Sequence, residues 1–510
     1  MDLSHWIERN ARFAPTRTAI RFASQDISYA ALVSRIDRAA AALEKAGLRE
    51  GEVVAYLGHN HPLIIELLFA CARLGALVAP LNWRLARPEI RRTLDDCRPR
   101  ILIAQSAFIE GPDAVEVPAD TRCVGVEPSN HPGRSCWDAF TAEVPAGAAC
   151  TRRGNPDSPL VLCYTSGTAG VPKGVVLHQD ALLTNALNSA HMHDLTSRDH
   201  ILTTTPMFHV GGFNILTLPA LHAGASVTIH PRFDPQATLD TIEREQVTLA
   251  VLVPAQLTAM LDLPTWNPAQ LRSLRMITTG STIITEQFAR KINAFGIPLA
   301  QVYGSTETGP AAAYQRSGDA MLRPGSAGAT ALHSEIRIVD AAEAPVGAGE
   351  DGEILVRGGN VMRGYWNRPE LTASALRNGW YHTGDVGHLD QDGFLYVVTR
   401  KRDMIISGGE NVYPEEVESA LLEMAEIKEV CIFSKPDHRL GELVTAAIVL
   451  REGAALTAAS VSLFLTDRLA RYKHPRAVHF VTCLPRTSLG KIIRSEVRQS
   501  IVGNAPGANP

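Results

Sequence analysis

Hydrophobic and polar positions alternate along the first half of the chain in a way that predicts helices joined to short buried strands. Helical spacing of apolar residues is seen at residues 29–46, 63–74 and 88–97. Short apolar runs of the buried-strand type lie between or after these segments, at 53–57, 76–80, 101–104, 248–253, 276–279 and 299–303. Strands that alternate with helices are typical of parallel sheets, so we predict an α/β fold class with β-α-β sheets in a large N-terminal domain.

The pattern changes twice in the second half of the chain. Short strands parted by Gly- and Asp-rich turns are predicted at 335–339, 352–356 and 393–398, which indicates a small β-rich subdomain over about 325–400. Beyond Arg402 the segments 414–422, 430–433, 444–450 and 460–469 are typical of an α-β-β-α module. We therefore predict an N-terminal domain at 1–401 and a small, mobile α+β domain at 402–510.

Composition narrows the function classes. The 510 residues are 45% hydrophobic and 20% charged, with a formal net charge of −4, which excludes the basic excess of a dedicated nucleic-acid binder. None of the eight cysteines forms a CxxC pair, so a disulfide framework or a zinc ribbon is excluded. The apolar stretch 63–81 contains Glu66 and Arg73, so we predict a buried helix and strand there and no membrane span. The start of the chain does not resemble a signal peptide, and we expect a cytoplasmic protein.

One loop carries the strongest chemical signal. Residues 164–174 read YTSGTAGVPKG and follow an apolar run at 160–163. Its glycines let successive N–H groups face an anion, while its hydroxyls and Lys173 add donors and positive charge. The loop therefore suits a polyphosphate, although it lacks the GxxxxGK[ST] spacing of a Walker A loop. Taken alone, a Ser/Gly hairpin turn explains the same residues.

Four further segments follow in an order that resembles the adenylate-forming superfamily, which includes acyl-CoA synthetases, adenylation domains and firefly luciferase. They are YGSTE at 303–307, WYHTGD at 380–385, KRDMIISGGENVYP at 401–414 and PRTSLGKI at 485–492. The loop at 164–174 resembles the first phosphate loop of the same superfamily. The resemblance covers nearly the whole chain and is strongest to short bacterial fatty-acyl-CoA and feruloyl-CoA synthetases.

This resemblance implies a two-step ligase reaction. A carboxylic acid attacks the α-phosphate of ATP to give an acyl-AMP, and the acyl group then passes to CoA. Glu307 is expected to bind Mg²⁺, because carboxylate oxygens suit that ion. Thr306 is expected near the α-phosphate, and Asp385 and Arg400 at the ribose. The remaining residues that the resemblance places around ATP are Thr165, Ser166, Gly167, Thr168, Gly170, Lys173, Gly280, Ser281, Thr282, Tyr303, Gly304 and Ser305.

The C-terminal motifs are expected to act in turn. By the resemblance, Lys491 bridges the acid and the phosphate during adenylation, and Arg402 marks the hinge of the small domain. A swing about that hinge would withdraw Lys491 and bring Gly408 and Gly409 to the CoA thiol. A homodimer is compatible with the resemblance.

The acid is expected to contact His209 and the segment Val210, Gly211, Gly212 and Phe213. These neighbours are small or apolar, and no Asp for an α-ammonium and no Arg for a second carboxylate lies near them. We therefore expect an apolar acid, either fatty or aromatic. Two alternatives stay open: an adenylating enzyme that loads a carrier protein, and a nucleotide-binding protein without catalysis. The nearby pair His191 and His193 has no third metal ligand and is predicted to lie on a helix surface.

Overall fold

The computed structural model describes residues 1–111, 114–128, 135–145, 147–165, 173–280, 284–400, 403–407, 410–437, 440–466, 468–469, 471–487 and 490–502. Its strands are β1 (Thr18–Phe22), β2 (Gln25–Ser28), β3 (Val53–Leu57), β4 (Leu77–Leu81), β5 (Ile101–Ala104), β6 (Arg122–Gly125), β7 (Pro159–Thr165), β8 (Lys173–His178), β9 (His200–Thr203), β10 (Ser226–Ile229), β11 (Leu249–Val251), β12 (Met276–Thr279), β13 (Leu299–Tyr303), β14 (Ala313–Tyr314), β15 (Gly328–Thr330), β16 (Ser334–Val339), β17 (Gly352–Gly358), β18 (Gly364–Tyr365), β19 (Leu376–Arg377), β20 (Trp380–Leu389), β21 (Phe394–Arg400), β22 (Ile405–Ser407), β23 (Glu410–Val412), β24 (Ile427–Asp437), β25 (Gly441–Leu450) and β26 (Ala477–Phe480).

Its α-helices are α1 (His5–Phe13), α2 (Tyr29–Lys45), α3 (Pro62–Leu74), α4 (Arg87–Cys97), α5 (Ser106–Ile109), α6 (Trp137–Ala142), α7 (Gln179–His193), α8 (Val210–Asn214), α9 (Thr217–Ala223), α10 (Pro235–Glu245), α11 (Pro254–Leu261), α12 (Glu286–Asn293), α13 (Ser317–Leu322), α14 (Pro369–Ala375), α15 (Pro414–Leu421), α16 (Ala458–Leu465) and α17 (Arg494–Val502). Single 3-10 turns lie at Pro268–Leu271, Thr306–Thr308 and Arg471–Lys473.

The chain divides into two compact units. The first comprises Met1–Ile336 with Val356–His382, and the second comprises Arg337–Leu355 with Thr383–Pro510. The predicted fold class is confirmed: a large N-terminal α/β part is followed by a smaller C-terminal α+β part. The boundary at residue 401 and the mobility of the small domain stay predictions.

Two sheets build the first unit. One has the strand order β18-β8-β7-β4-β3-β5-β6, in which β7, β4, β3, β5 and β6 are parallel. The other has, within this unit, the order β15-β14-β13-β12-β11-β9-β10-β1-β2, and its strands from β13 to β1 are parallel. Helix α3 is buried at every position, as its continuous apolar run predicts. Its one acidic residue, Glu66, is paired with Arg35 at 3.1 Å, which offsets the cost of burying a carboxylate.

The second unit has its own sheet and core. Its strands follow the order β23-β22-β25-β24, and β26 pairs in parallel with β25. Apolar residues of α15 and α16 pack with this sheet around Ile427, Ile432 and Ile448. This arrangement is the α-β-β-α module predicted from the hydrophobic pattern.

Candidate active site

The carboxyl ends of four neighbouring parallel strands define one edge of the second sheet. Strands β9, β11, β12 and β13 run in parallel, and the predicted site segments follow the ends of β9, β12 and β13. Ligands of open α/β sheets bind outside this edge. Thr279 Oγ1 at the end of β12 and His209 Nε2 after β9 are buried and have no hydrogen-bond partner among the described residues. Buried polar atoms are normally paired, so these two mark this end of the sheet as a place that suits a polar ligand group.

The predicted metal residue Glu307 lies on a tight 3-10 turn after β13. The Ser305 N–H donates to Thr308 Oγ1 at 2.8 Å and closes the turn. Gly304 enters it with no room for a side chain, because a Cβ there would lie 1.8 Å from the Pro310 carbonyl oxygen. Tyr303, Thr306 and Glu307 are half-buried, as side chains at the mouth of a site are expected to be.

A tyrosine that the sequence analysis missed connects Glu307 to the phosphate loop. The Tyr365 hydroxyl donates to Glu307 Oε1 at 2.9 Å, and Lys173 Nζ lies 5.7 Å from the centroid of the Tyr365 ring. Burial and the Glu307 carboxylate raise the pKa of Tyr365, so its hydroxyl keeps its proton. Nothing near residue 307 in the sequence indicates this contact.

Four buried asparagines hold the segment that follows Glu307. The side-chain amides of Asn360, Asn214 and Asn188 donate to the carbonyls of residues 308, 309 and 311, and Asn185 accepts from the N–H of residue 311. All four asparagines are fully buried. Because buried backbone groups need partners, these amides fix the course of residues 308–311. None of the four was predicted from the sequence, since a lone Asn carries no pattern.

The phosphate loop joins two antiparallel strands. Thr165 at the end of β7 lies opposite Lys173 at the start of β8. Beside Thr165, the Tyr164 hydroxyl donates to Asp96 Oδ2 at 2.7 Å and anchors the end of β7. Four predicted phosphate ligands lie outside the described residues: Ser166, Gly167, Thr168 and Gly170. The structure therefore places the two ends of the predicted loop side by side.

The predicted acid-binding segment forms the short helix α8, preceded by His209. Burial, and to a lesser extent the positive charge of Arg84, lower the pKa of His209 to about 3, so its imidazole is neutral at physiological pH. Val210 and Phe213 are buried. The two glycines differ: a Cβ on Gly212 would lie 2.1 Å from the Pro206 carbonyl oxygen, whereas a Cβ on Gly211 would lie 3.6 Å from Ile215 Cδ1. Gly212 therefore packs against backbone, and only Gly211 has room for a side chain.

Aromatic rings from distant segments of the chain form a series of contacts that begins at His209. The Phe208 ring lies 4.4 Å from the His209 ring and 6.4 Å from the Trp83 ring, and Trp83 in turn contacts His59 at 4.5 Å. The Arg84 guanidinium lies 5.0 Å from the Trp83 ring centroid. These contacts depend on how the two sheets of the first unit pack, so the sequence pattern does not predict them.

One expectation about this region is wrong. His193 was expected on a helix surface, but it is buried, and burial lowers its pKa to about 4. Its Nδ1 donates to the Ser189 carbonyl at 2.8 Å, which leaves Nε2 to accept from Thr278 Oγ1 at 2.7 Å. His191 is half-buried and hydrogen-bonds the Tyr314 hydroxyl at 2.8 Å. The pair therefore ties α7 to two strands, β12 and β14.

The second unit brings together the two predicted ribose residues. Asp385 of β20 and Arg400 of β21 lie directly opposite each other in an antiparallel register. Lys491 is exposed at the end of a tight turn, where its N–H donates to Thr487 Oγ1 at 3.2 Å and its carbonyl accepts from the Thr487 N–H at 2.7 Å. In the first unit, Gly280 follows β12 directly. Five predicted site residues lie outside the described part of the chain: Ser281, Thr282, Arg402, Gly408 and Gly409.

Comparisons with known proteins place the chain beside enzymes that activate acids. Residues 7–366 match the family described as AMP-binding enzyme, and residues 416–491 match its C-terminal domain. The chain is 49% identical to an indoleacetate–CoA ligase of Aromatoleum aromaticum and 38% identical to a feruloyl-CoA synthase of Amycolatopsis sp., with 98% of each chain covered in both comparisons. It is 32% identical to the long-chain-fatty-acid–CoA ligase FadD13 of Mycobacterium tuberculosis, with 99% of each chain covered.

A solved structure shares the same architecture. The o-succinylbenzoate CoA synthetase of Bacillus subtilis, solved with ATP and magnesium, superposes with a TM-score of 0.85 at 30% identity, over 97% of this chain and 99% of that one.

Proposed function

Because this chain belongs to the AMP-binding enzyme family and is an AMP-forming acid–CoA ligase, we propose that the acid it activates is aromatic: an arylacetate or a cinnamate. The family inferred from the five motifs is thereby confirmed. ATP and CoA are the other reactants, and Mg²⁺ is the metal cofactor. A free carboxylate is a poor acyl donor, whereas an acyl-AMP carries a phosphate leaving group. The aromatic character of the acid is the step beyond the shared activity.

The observation that carries the proposal is the order of sequence identities. Over nearly the same length, identity falls from 49% for the indoleacetate ligase to 38% for the feruloyl synthase and 32% for the long-chain-fatty-acid ligase. The indoleacetate ligase and the feruloyl synthase are thus more similar to this chain than the ligase named for a long-chain fatty acid.

The acid-binding segment supports the same choice. Asn214 Oδ1 on α8 and Thr279 Oγ1 on β12 are buried and have no partner among the described residues. An alkyl chain would leave both unpaired, and each unpaired buried polar group costs about 1–3 kcal/mol. An indole N–H or a ring hydroxyl could pair with one of them. The space at Gly211, bounded by Ile215, suits the edge of a flat ring.

The residues at the sheet edge fit a magnesium ion that arrives with ATP. Among the described residues no group of three or more His, Cys, Asp or Glu could hold a metal ion. Mg²⁺ is usually bound through one or two carboxylates together with substrate phosphates, so the single carboxylate of Glu307 fits this mode. When bound, the ion neutralises charge on the phosphates during adenylation.

The other residues are assigned roles around the same reaction. Thr165 and Lys173, at the two ends of the phosphate loop, are proposed to hold the β- and γ-phosphates. Asp385 and Arg400 are proposed to bind the ribose hydroxyls, and their opposed register supports a joint role. Lys491 is proposed to stabilise the charge that develops as the carboxylate attacks.

A panel of acids tests the substrate class. CoA-dependent AMP release is measured with indole-3-acetate, naphthalene-1-acetate, ferulate, cinnamate and straight-chain C8–C16 acids. We expect the best aromatic acid to exceed every fatty acid in kcat/KM by about 10²-fold or more, because a pocket shaped for a ring gains little from a chain. Naphthalene-1-acetate is the matched control for indole-3-acetate, since it has a similar shape without the N–H. A C8–C16 acid with the highest kcat/KM would show the proposal to be wrong.

Localisation and assembly are part of the proposal. In the part of the chain that the structure describes, no helix is long and apolar enough to cross a membrane. All eight cysteines are free, which is typical of a reducing compartment. We place the enzyme in the cytoplasm, and the homodimer stays a prediction that light scattering of the purified protein would test.

A further inference from the structure

We propose that Tyr365 is a positioning residue that holds Glu307 ready for the metal ion and couples it to the phosphate loop. The inference rests on the proposed role of Glu307 as the magnesium ligand. Nothing in the motifs around residues 164–174 or 303–307 assigns a role to Tyr365.

Three contacts meet on the Tyr365 side chain. Its hydroxyl donates to Glu307 Oε1 at 2.9 Å and accepts a hydrogen bond from Tyr381. The face of its ring lies 5.7 Å from Lys173 Nζ, within the range of a cation–π interaction. One side chain thereby touches the carboxylate proposed for the metal and the ammonium proposed for the phosphates.

The backbone around Tyr365 is held independently of its hydroxyl. Strand β18 pairs with β8, with Tyr365 opposite Val175. On either side, the Met362 N–H donates to the Glu307 carbonyl at 2.7 Å, and the Trp366 N–H donates to the Gly174 carbonyl at 2.7 Å. Removing the hydroxyl alone therefore leaves this segment in place, so its loss reports on the carboxylate rather than on the fold.

A hydrogen bond to a metal-binding carboxylate restricts its rotation and selects which oxygen faces the ion. Such supporting contacts are typically worth about 10–100-fold in metal affinity or activity. Glu307 stands on a short turn and is only half-buried, so without Tyr365 its carboxylate would sample several rotamers before binding. The hydroxyl therefore acts on the metal through Glu307, and it makes no contact with the acid in this account.

Binding of Mn²⁺ as a probe tests the inference without turnover. Electron paramagnetic resonance measures free Mn²⁺ in the presence of ATP and enzyme, without acid or CoA. For Tyr365→Phe we expect about tenfold or greater weakening of Mn²⁺ binding and an equal rise in the Mg²⁺ concentration that half-saturates the adenylation rate. At saturating Mg²⁺ the rate should largely recover. Tyr381→Phe, which removes the donor to Tyr365, should weaken binding in the same direction but less.

Two further variants make the outcomes distinct. Tyr29→Phe is the matched control, because it also removes one buried tyrosine hydroxyl. That hydroxyl donates to the Ala225 carbonyl at 2.7 Å, and neither residue belongs to a predicted site motif. It should lower stability and leave Mn²⁺ binding unchanged. Equal Mn²⁺ affinity in Tyr365→Phe and Tyr29→Phe would overturn the role of Tyr365. Unchanged Mn²⁺ affinity in Glu307→Gln would also overturn the proposed role of Glu307 as the metal ligand. The proposal of an aromatic substrate is tested separately, by the panel of acids.

Discussion

At the scale of single residues, Cys163 is the thiol that a covalent mechanism would choose, since it lies just before the phosphate loop. Its Sγ is buried and donates to the Phe208 carbonyl at 3.4 Å. Burial, with a smaller contribution from Glu307, raises the pKa of this thiol to about 12, so almost no thiolate exists at neutral pH. The ligase reaction needs no enzyme nucleophile, because the acyl-AMP passes directly to CoA.

We expect Cys163→Ser to keep thioester formation within about tenfold of the wild-type rate, because Ser can still donate to the Phe208 carbonyl and a small packing change costs little. The rate of CoA-thioester formation and the melting temperature are the measurements. A loss of turnover beyond about 10²-fold at an unchanged melting temperature would instead indicate covalent catalysis at this residue.

The two neighbouring glycines of the acid segment should respond differently to substitution. In Gly211→Trp the new side chain fills the space in front of Ile215. We expect kcat/KM for large aromatic acids to fall by more than about tenfold relative to small acids, because each methylene of misfit already costs about 1–3 kcal/mol. The affinity for ATP should not change. Acid profiles and ATP titrations of the variant are the measurements.

Gly212→Ala is the companion variant, because the two glycines differ in the space around them. Its new Cβ would overlap the Pro206 carbonyl, so we expect a lower melting temperature and an unchanged order of acid preference. Two results would contradict this distinction between the glycines. One is an unchanged order of acid preference in Gly211→Trp, and the other is a Gly212→Ala variant with an unchanged melting temperature and an altered acid preference.

At the scale of elements, His193 joins α7 to β12, the strand that ends at Thr279. Its hydrogen bonds to the Ser189 carbonyl and to Thr278 Oγ1 require a neutral imidazole with the proton on Nδ1. The pKa of His193 is about 4 in the folded protein because of burial, against an ordinary value of 6.5 in the unfolded chain. Between these two values only the unfolded chain binds the proton.

Acidification from pH 6.5 to 4 should therefore reduce stability, and the full contribution of His193 is present above pH 6.5. The loss is at most about 1.4 kcal/mol per pH unit for one such group. We expect the urea midpoint of the wild type to fall more steeply between pH 7 and 4.5 than that of His193→Gln, which has no titrating ring. Parallel curves for the two proteins would show that His193 does not titrate in this way.

At the scale of the whole molecule, Lys491 and Gly409 are predicted to serve different half-reactions. Lys491→Ala should lose acid-dependent exchange of pyrophosphate into ATP by about 10²–10³-fold, because a charge that stabilises the transition state is removed. It should still convert supplied acyl-AMP and CoA to the thioester. Gly409→Leu should show the reverse, with acyl-AMP accumulating because a side chain fills the path of the thiol.

Both half-reactions are measured for both variants, with circular dichroism as the control for folding. Equal loss of both half-reactions in two folded variants would contradict the alternation of the small domain. Retention of pyrophosphate exchange in Lys491→Ala would contradict the role of that lysine alone.

The sequence by itself determined the elements and the reaction class. The periods of apolar residues predicted the strands at 53–57, 276–279 and 299–303 and the buried helix at 63–74, because side-chain spacing along one segment decides which face can be buried. The motif order also predicted the family, since each motif is a short run whose residues act together. These features are local, and a linear pattern records them directly.

Only the tertiary structure decided which distant residues meet. It brought Tyr365 to Glu307, placed Asn360 on the carbonyl of residue 308 and Asn214 on that of residue 309, and buried His193 against Thr278. Each of these contacts joins segments whose separation in sequence carries no period, so their meeting depends on the order of strands in the sheet and on the packing of helices against it. Hydrophobic patterning determines which face of an element is buried, but the partner that a buried polar group meets is determined by how the elements pack together.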